Sequence, residues 1–436
     1  MRFAVLLRTP LAGLSLLAPL LACAAAPAKA YATSGDCDGF PAVALTTAAG
    51  LCVGLVAEGL GHARGVATIG DDVFVVDMVA WESRKGRLLK LSRGGRHAPE
   101  VVLHDLYQPN AVVRGPGRTL YVGVTGQVLQ VDPYAADPGQ GAKLIVDGLP
   151  TTGRHPVPSL AVGTDGALFV DVGSFSDNCH AAGGRMPDPK AACPETQETP
   201  PRGSVLRFPA RAGTWHANEQ PPYARGLRNS MAMAVLPDGR LAVAVNSRDG
   251  INHASPSLPD ADLPHDLLAV LQPGGDYGWP YCYDQRVPAP EYPGFDCASR
   301  LAPDLLLPAH AAPLGMLLYK GDRLPGLDGK LILGYHGYRA TGHRVVAVAL
   351  GKDGRPAGMP SELVTGWEQR EGSHPQGSPV GLVEMADGSV LIAEDHSGAL
   401  LRLSRHGKQA APRRRVRAGR RRAPARSPGR GRRSRR

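Results

Sequence analysis

The stretch Leu160-Ala-Val-Gly-Thr-Asp-Gly-Ala-Leu-Phe-Val-Asp171 decides the fold, because it places an Asp-Gly pair between two short apolar runs. This pattern is a strong signal for a β-hairpin. Five further stretches repeat it, at Val66–Asp77, Ala111–Gly123, Met233–Ala244, Leu327–Gly334 and Val383–Ala393. A third short strand follows five of the six copies, at 86–91, 127–131, 203–208, 344–349 and 398–403. Six copies of one β unit predict an all-β protein, a six-bladed β-propeller.

The alternative to a propeller is a pair of β-sandwiches. We disfavour it because the same hairpin recurs through the whole middle of the chain without a linker. The spacing between copies is irregular, so we expect long inserted loops at 174–202, 247–265 and 280–310. Loops on a rigid scaffold commonly carry binding and catalytic residues, so these insertions are candidates for building a site.

Composition agrees with this fold class. The 436 residues include 54 Gly and 40 Pro, and both residue types disfavour helix interiors. A hydrophobic content of 43% is enough to form a core, which excludes disorder throughout the chain.

The net charge of +10 is unevenly distributed. Residues 405–436 hold 14 Arg and one Lys with no acidic residue, whereas residues 31–404 hold 31 basic and 39 acidic side chains. The body is therefore mildly acidic, and specific nucleic-acid binding is not expected of it. We predict that 405–436 is a disordered basic tail that contacts anionic surfaces or is simply solvated.

The N-terminus predicts export. Residues 1–32 combine basic residues, a short apolar run at Leu11–Leu21 and small-residue cleavage motifs near Ala30, which together indicate a signal peptide. The alternative is a lipoprotein signal in Leu20-Leu21-Ala22-Cys23, with a lipid anchor on Cys23. We expect a periplasmic or secreted protein, with the propeller over 33–404.

The cysteines fit that compartment. The six after Cys23 stand at 37, 52, 179, 193, 282 and 297, so neighbours along the chain are separated by 15, 14 and 15 residues. Sequential pairing would close three short loops, each worth about 3 kcal/mol in the chain-entropy model. Fifteen connectivities are formally open, so sequential pairing is an inference, and buried free thiols are the alternative.

Polar residues cluster where the innermost strands of a propeller begin. His155 precedes the third copy of the repeat, and Arg225, Arg228 and Asn229 precede the fourth. His336 and Arg339 follow a strand of the fifth copy, and with the preceding residues they would surround one axis. A neutral histidine amid arginines and amides suits a general base beside a polyanionic cofactor. The sequence lacks the common nucleophile, phosphate-loop, dinucleotide and zinc-protease motifs.

Gly275-Asp-Tyr-Gly-Trp-Pro-Tyr-Cys282 is the first of four motifs that carry a family resemblance. It resembles the G-G-x-Y-G-W-P-x-C element of the soluble quinoprotein glucose/sorbosone dehydrogenase family, whose members include aldose sugar dehydrogenases. The run from Gly148 to Cys179 is similar to its histidine element. Arg225–Asn229 followed by Asn246–Gly250 resembles its R-N-P and N-G-R-D-G segments, and Val380–Asp395 resembles its last blade. The resemblance covers about residues 50–404.

The resemblance implies a propeller that binds pyrroloquinoline quinone (PQQ) and calcium and oxidises an aldose sugar or an aldehyde. His155 matches the catalytic base, and Arg228 matches a catalytic and cofactor-binding residue. Asn229 matches a neighbour of the cofactor, and His336 and Arg339 fall near a ligand of the cofactor carboxylates. Electrons would leave to an external acceptor, a cytochrome or a quinone, since the chain has no c-type haem motif.

The metal expectation concerns the turn Asn246-Ser247-Arg248, where the family offers backbone carbonyls to calcium, a cation that prefers oxygen ligands. Asp249 is the nearest carboxylate, and its alternative role is that of a turn residue. The predicted metal residues are therefore Ser247, Arg248 and Asp249.

Three departures from the family pattern bear on quinone binding. The arginine usual before the last blade is Ser378 here, and the usual Thr-Arg after the histidine is absent from Val157–Ser159. The fifth-blade element is shortened to His336-Gly-Tyr-Arg339. Two alternatives remain: a calcium-dependent lactonase-type hydrolase, which would need converging carboxylates, and a non-enzymatic binding propeller.

Overall fold

A computed structural model describes residues 31–180, 184–367 and 377–406, and nearly all of its regular structure is β-strand. The proposed signal peptide, up to residue 30 and including Cys23, lies outside the described residues. So does the proposed basic tail from residue 407 onward.

Six antiparallel sheets form the blades of a β-propeller, which confirms the predicted fold class. The strands of each blade are given from the innermost outward. Blade 1 contains Ala63–Ile69, Asp72–Asp77, Gly86–Leu91 and Glu100–Leu106, and blade 2 contains Ala111–Arg114, Leu120–Val124, Gln127–Val131 and Lys143–Asp147. Blade 3 contains Leu160–Val162, Leu168–Val172, Ser204–Phe208 and Pro222–Arg225. Blade 4 contains Ala232–Val235, Leu241–Val245, Asp266–Val270 and Leu305–Leu307. Blade 5 contains Pro313–Leu318, Leu331–Tyr335, Arg344–Leu350 and Pro356–Thr365.

Blade 6 joins the two ends of the described chain. Its inner strands are Pro379–Glu384, Val390–Glu394 and Ala399–Arg405, and its fourth strand, Leu51–Ala57, comes from the N-terminal side. Two more strands, Phe40–Val43 and Thr33–Cys37, extend this sheet outward. The ring is therefore closed by antiparallel pairing between distant segments, and the final strand continues one residue past the predicted boundary.

Smaller elements decorate the blades. Short strands add to the outer edges of blades 2, 3 and 5, at Trp215–His216, Gly275–Asp276 and Thr46–Thr47, and Cys282–Tyr283 pairs with Val287–Pro288. The helical turns are Ser92–Gly95 and Ile251–Ala254, together with the 3₁₀ turns Pro194–Gln197, Ala217–Glu219 and Cys297–Ser299. The predicted insertions connect strands within blades 3 and 4, and 280–310 also includes the outermost strand of blade 4.

Apolar and polar residues alternate along some strands, and other strands are apolar throughout, because each blade is packed between two neighbouring blades. Phe74 and Leu88 of blade 1 pack against Val112 and Leu120 of blade 2, and all four are almost completely buried. Burial of each such side chain contributes about 1.5–3 kcal/mol relative to exposure. The second strands are buried on both faces, as in Leu331–Tyr335.

The three predicted disulfides are present, linking Cys37 to Cys52, Cys179 to Cys193, and Cys282 to Cys297. They fit a protein that matures in an oxidising compartment. Among the described residues, helices are too short or too polar to traverse a lipid bilayer.

Candidate active site

A cavity of about 470 Å³ opens at the end of the propeller where innermost strands begin and second strands end. Loops of blades 1, 3, 4, 5 and 6 supply its walls. Of the sequence-predicted site residues, seven line it: His155, Arg228, Asn229, Ser247, Asp249, His336 and Arg339. The other two, Arg225 and Arg248, lie outside the cavity wall, because Arg225 ends the outermost strand of blade 3 and Arg248 is paired with Glu291. The fold thus brings together groups that are up to 184 residues apart in the chain.

His155 has a defined proton arrangement. Its Nδ1 lies 2.8 Å from Ser174 Oγ, and Ser174 Oγ donates its hydrogen to the carbonyl of Ser176 at 2.7 Å. Because that hydroxyl hydrogen is already used, Ser174 Oγ accepts from Nδ1–H, which leaves Nε2 as the unprotonated nitrogen. Burial, followed by the charges of Arg228 and Arg154, holds the pKa of His155 well below its usual value. The imidazole is therefore neutral at pH 7.

Close backbone contact holds the His155 loop against blade 3. His155 N–H donates to the Ser174 carbonyl at 3.2 Å, and Ser174 N–H donates to the Arg228 carbonyl at 2.9 Å. Gly173 permits this approach, because a Cβ there would lie 2.5 Å from His155 Cβ and 3.0 Å from Asn229 Oδ1. The Val-Gly-Ser run after the strand is thus a packing requirement of the site.

Arg228 is a fixed positive charge in the cavity wall. Its Nε donates to the Asp177 carbonyl at 3.0 Å, its Nη1 donates to the Asn246 carbonyl at 3.0 Å, and its Nη2 is paired with the Asp177 carboxylate. The side chain is only 4% exposed, so its orientation is set by these bonds. Beside it, Asn229 Oδ1 is buried and has no hydrogen-bond partner within the described parts of the chain.

The residues of the predicted metal turn differ in whether they offer an oxygen atom to the cavity. Asn246 Oδ1 is buried without a partner among the described residues, and Ser247 lines the cavity. The Arg248 side chain points away and is paired with buried Glu291, which leaves only its carbonyl for any metal role. Asp266, which sequence reasoning missed, accepts from Ser247 N–H at 2.7 Å, and burial raises the pKa of its carboxyl to about 7.

The rim of the cavity carries a chain of alternating charges. Arg154 Nη2 lies 3.2 Å from Asp249 Oδ2, and His310 Nδ1 lies 3.0 Å from Asp249 Oδ1. Arg339 in turn donates to the Asp260 carboxylate at 2.7 Å, and His310 Nε2 donates to the Asp260 carbonyl. The His310 contact holds the pKa of Asp249 far below its usual value, and the same contact raises the pKa of His310. Asp249 is therefore already paired with Arg154 and His310.

A second buried cluster joins three blades. Arg64 Nη1 lies 2.7 Å from Asp395 Oδ2, and His336 Nε2 lies 3.1 Å from both oxygens of that carboxylate. Arg64 also donates two bonds to Asn110 Oδ1, at 2.9 and 2.8 Å. Although burial raises the pKa of Asp395, His336 and Arg64 outweigh it and hold that pKa far below its usual value.

Sequence reasoning placed His336 in the site but missed Arg64 and Asp395. Asp395 follows from the positional rule that found His336, because each comes directly after the second strand of its blade; Arg64 does not, because it is the second residue of the innermost strand Ala63–Ile69 of blade 1. Ser378, where the family arginine was expected, is completely buried, and its carbonyl accepts from Asp395 N–H at 3.4 Å. Arg64 reaches the same carboxylate residue from blade 1.

The remaining walls are apolar or aromatic. Val157, Met231 and Leu314 belong to one small apolar cluster and line the inner part of the cavity. Trp81 and Tyr338 also line it, yet their residues are 50% and 58% exposed, so their rings stand at the opening. Such rings suit contact with the faces of a sugar or another flat molecule.

Comparisons with known proteins bear on the fold and on the family that the chain resembles. Residues 134–337 match the sequence model of the glucose/sorbosone dehydrogenase family. An uncharacterized protein of Borreliella burgdorferi is 24% identical over 190 residues, which cover 41% of this chain and 48% of that relative, so the match spans about half of the relative's length.

Several solved structures similar to this chain carry titles that name dehydrogenases or carbohydrate-active enzymes. The holo pyranose dehydrogenase PQQ domain of Coprinopsis cinerea is 20% identical, with 85% of this chain and 99% of that chain covered and a TM-score of 0.67. A calcium structure of a family AA12 carbohydrate-active enzyme from Trichoderma reesei is 19% identical, with 84% of this chain and 98% of that chain covered and a TM-score of 0.67. The PQQ-bound aldose sugar dehydrogenase of Streptomyces coelicolor is 15% identical, with 82% of this chain and 99% of that chain covered and a TM-score of 0.56.

At these identities the structures establish a shared fold, and the match over 134–337 adds sequence similarity to the family over slightly less than half of the chain. The propeller therefore resembles the glucose/sorbosone dehydrogenase family in sequence as well as in fold, as its four motifs indicated.

Proposed function

We propose that this protein is a PQQ-dependent dehydrogenase that oxidises an aldose sugar or an aldehyde, with His155 as general base. The observation that carries the proposal is the position of His155, whose unprotonated Nε2 shares one cavity with the fixed Arg228 charge and the unpartnered Asn229 amide oxygen. The neighbours' titles, which name PQQ-bound and calcium-bound forms, support the choice of cofactors.

The residues present fit a polyanionic quinone. Arg64, Arg154, Arg228 and Arg339 all line the cavity, and the guanidinium group is suited to binding carboxylates. We assign carboxylate binding to Arg64 and His336, which together replace the arginine missing at Ser378. Arg339 would contribute at the rim. Arg228 and Asn229 would contact the reacting end, because both adjoin His155.

A calcium ion fits the oxygen atoms around Asn246. Asn246 Oδ1, Ser247 and the Asp266 carboxylate face this side of the cavity, and calcium binds carboxylate, amide and carbonyl oxygens. We propose these three residues as its ligands, with the Arg248 carbonyl as a further donor by sequence position. Asp249 is a poorer choice than expected from sequence, because Arg154 and His310 already neutralise its carboxylate.

Bound PQQ supplies a two-electron acceptor that the amino acids of this chain lack. The chain's own contribution begins with His155 Nε2, which accepts the proton of the hydroxyl on the reacting carbon, that of the aldose or of the hydrated aldehyde, as this carbon is oxidised. Ser174 keeps the imidazole in the required tautomer and orientation. Arg228 stabilises negative charge that develops beside it, and its bonds to Asp177 and Asn246 mean that little reorganisation is needed.

The proposal also covers how the substrate binds, where the electrons go and where the protein acts. Exposed Trp81 and Tyr338 would contact the sugar at the cavity mouth, and the electrons would pass to an external cytochrome or quinone. The disulfides and the predicted signal peptide support a periplasmic or secreted location, with a lipid anchor on Cys23 as the alternative.

The test is reconstitution of the purified chain with calcium and PQQ. We expect quinone uptake by absorbance and calcium-dependent dye reduction with at least one aldose or aldehyde. His155→Ala should keep quinone uptake and lose turnover by about 10²-fold or more, the range for a general base. Absence of quinone binding would overturn the proposal. Lactone hydrolysis without quinone would favour the hydrolase alternative.

A further inference from the structure

Glu195 is a buried carboxylate beside the candidate active site, and the proposed function assigns it no role. It lies in the 3₁₀ turn Pro194–Gln197 of the first inserted loop, is 6% exposed, and is not part of the wall of the cavity that holds His155. A buried carboxylate needs hydrogen-bond donors or a cation to offset the cost of its desolvation. The donors around Glu195 therefore show what this residue holds in place.

These donors all come from the loop that follows the second strand of blade 3. Glu195 Oε2 accepts from Phe175 N–H at 2.6 Å and from Ser176 N–H at 3.2 Å. Glu195 Oε1 accepts from the Ser176 hydroxyl. One carboxylate thus holds two consecutive peptide units and one side chain, and bonds to a charged acceptor are stronger than bonds between neutral groups.

The same two peptide units bind the histidine segment through their carbonyls. The Ser174 carbonyl shares a peptide unit with Phe175 N–H, and it accepts from His155 N–H at 3.2 Å. The Phe175 carbonyl shares a peptide unit with Ser176 N–H, and it accepts from Arg154 N–H at 2.7 Å. Because a peptide unit is planar, fixing its N–H fixes its carbonyl as well. The carboxylate therefore orients both carbonyls that bind the main chain of Arg154 and His155.

The bond that selects the His155 tautomer depends on the same loop. Ser174 Oγ donates to the Ser176 carbonyl at 2.7 Å, which leaves it as an acceptor for His155 Nδ1–H at 2.8 Å. If the Ser176 carbonyl turned away, the Ser174 hydroxyl would be free to donate to Nδ1, and Nε2 would then carry the proton. Glu195 holds Ser176 by its N–H and its hydroxyl, which opposes that change.

The segment that carries Glu195 is itself anchored. Cys193, two residues before Glu195, is bonded to Cys179 at the end of the loop. Cys193 N–H donates to the Tyr281 hydroxyl at 2.8 Å, and Arg202 N–H donates to the Glu195 carbonyl at 3.0 Å. The carboxylate is thus fixed by contacts that do not involve the histidine.

We propose that Glu195 is a positioning residue that sets the orientation and the tautomer of His155 through the loop 174–176. It acts through the hydrogen bonds of this loop and not by contact with the reacting groups. A general base must present its lone pair to the proton that it removes, and a third group commonly orients it. The expected effect on turnover rests on the proposed dehydrogenase function, whereas the effect on the tautomer does not.

The first test measures the tautomer of His155 in the full chain without quinone, from the ring-nitrogen chemical shifts of isotopically labelled histidine. The chain has 14 histidines, so His155→Gln identifies the signals by their absence. We expect the Nδ1–H tautomer in the wild type and a mixture with the Nε2–H tautomer in Glu195→Ala. Glu195 also lines a separate cavity of about 510 Å³, so water can reach the N–H groups it leaves and the variant should fold. Near-ultraviolet circular dichroism checks this.

Glu195→Gln is the conservative variant. Its amide oxygen can accept from both N–H groups while its NH₂ group donates to Ser176 Oγ, so the wild-type tautomer should be retained. Glu198→Ala is the matched control, because it removes a carboxylate of the same insertion that is paired with Arg202. A wild-type tautomer in folded Glu195→Ala, its loss in folded Glu195→Gln, or an equal change in Glu198→Ala would overturn the proposal.

The second test measures the kinetics of the reconstituted enzyme. Glu195→Ala should lower kcat by about 10²-fold with little change in KM, because small displacements of a reacting group have effects of this size. Glu195→Gln and Glu198→Ala should keep most of the wild-type kcat. A wild-type kcat in Glu195→Ala would overturn the proposal. If the wild-type protein shows no turnover, the dehydrogenase proposal fails, and the tautomer measurement alone decides the role of Glu195.

Discussion

His155 illustrates how neighbours set the chemistry of one side chain. An isolated imidazole titrates near pH 6.5 and has two interchangeable tautomers. Here Ser174 selects the Nδ1–H tautomer, while burial and the charges of Arg228 and Arg154 favour the neutral form. The result is a base that is unprotonated at pH 7 without needing a carboxylate partner.

The first prediction concerns the pH dependence of the reconstituted enzyme. Because the pKa of His155 is lowered, activity should be constant near neutrality and fall only as acid protonates the imidazole, well below pH 6.5. Arg154→Gln removes one charge that lowers this pKa, so the acidic limb of kcat/KM should move to higher pH. A limb that stays in place or moves to lower pH would contradict the assignment of His155 as the titrating base.

The second prediction concerns Arg64. If it binds the quinone carboxylates, Arg64→Gln should weaken quinone affinity by about tenfold or more, measured by equilibrium dialysis with absorbance rather than by turnover. Arg64→Lys keeps the charge but loses the forked geometry, so its affinity should be intermediate. Near-ultraviolet circular dichroism checks the fold of both variants. Unchanged affinity in a folded Arg64→Gln protein would assign Arg64 a structural role with Asn110 and Asp395.

At the scale of elements, the site depends on how closely the ends of strands approach one another. His155, Ser174, Arg228 and Asn246 belong to loops joined by backbone hydrogen bonds that continue the blades past their last strand residues. Gly173 lies between them with no space for a side chain. The positions of the catalytic groups therefore follow from main-chain packing and not only from side-chain contacts.

Gly173→Ala should consequently disturb catalysis more than folding. The added methyl would meet His155 Cβ and Asn229 Oδ1, so the loop must shift, and small displacements of reacting groups can cost about 10²-fold in rate. We expect such a fall in kcat with a modest change in Tm. Gly139→Ala is the control, since its Cβ would have no neighbour nearer than 3.5 Å. Wild-type kcat in Gly173→Ala would show that the contact is unimportant.

At the scale of the whole molecule, the ring is closed by one seam. The strand Leu51–Ala57 pairs with Ala399–Arg405, and the disulfide Cys37–Cys52 fastens the next two strands of that sheet to it. The cavity depends on the position of this blade, because Arg64 of blade 1 meets Asp395 of blade 6 where the two blades pack together. Stability and site geometry are thus coupled through the seam.

Replacing Cys37 and Cys52 together by serine should lower the free energy of unfolding by about 3 kcal/mol, the chain-entropy value for a loop of this size. The double serine variant at Cys282 and Cys297 is the matched control, because that pair has the same separation of 15 residues. Any additional loss at the first pair, measured by urea denaturation, reports the contribution of the seam. No loss at either pair would contradict the disulfide assignment.

The sequence by itself was sufficient for the propeller and for most of the candidate site. Asp-Gly turns between alternating runs are local signals, and six copies of them leave few architectures open. The cysteine spacing likewise led to the pairs that are present, because short loops favour sequential partners. His155, Arg228, Asn229, His336 and Arg339 were predicted from their places beside repeated strands and from the family motifs.

Tertiary structure decided what depends on contact between blades. Arg64 and Asp395, 331 residues apart, pair only because the ring closes, and nothing in either local sequence signals the other. Contacts between loops likewise give Asp266 a place in the cavity wall, pair Arg248 with Glu291, and pair Asp249 with Arg154 and His310. Local patterns encode which residues begin and end a strand, but long-range packing determines which charges face each other, and that pairing sets the chemistry.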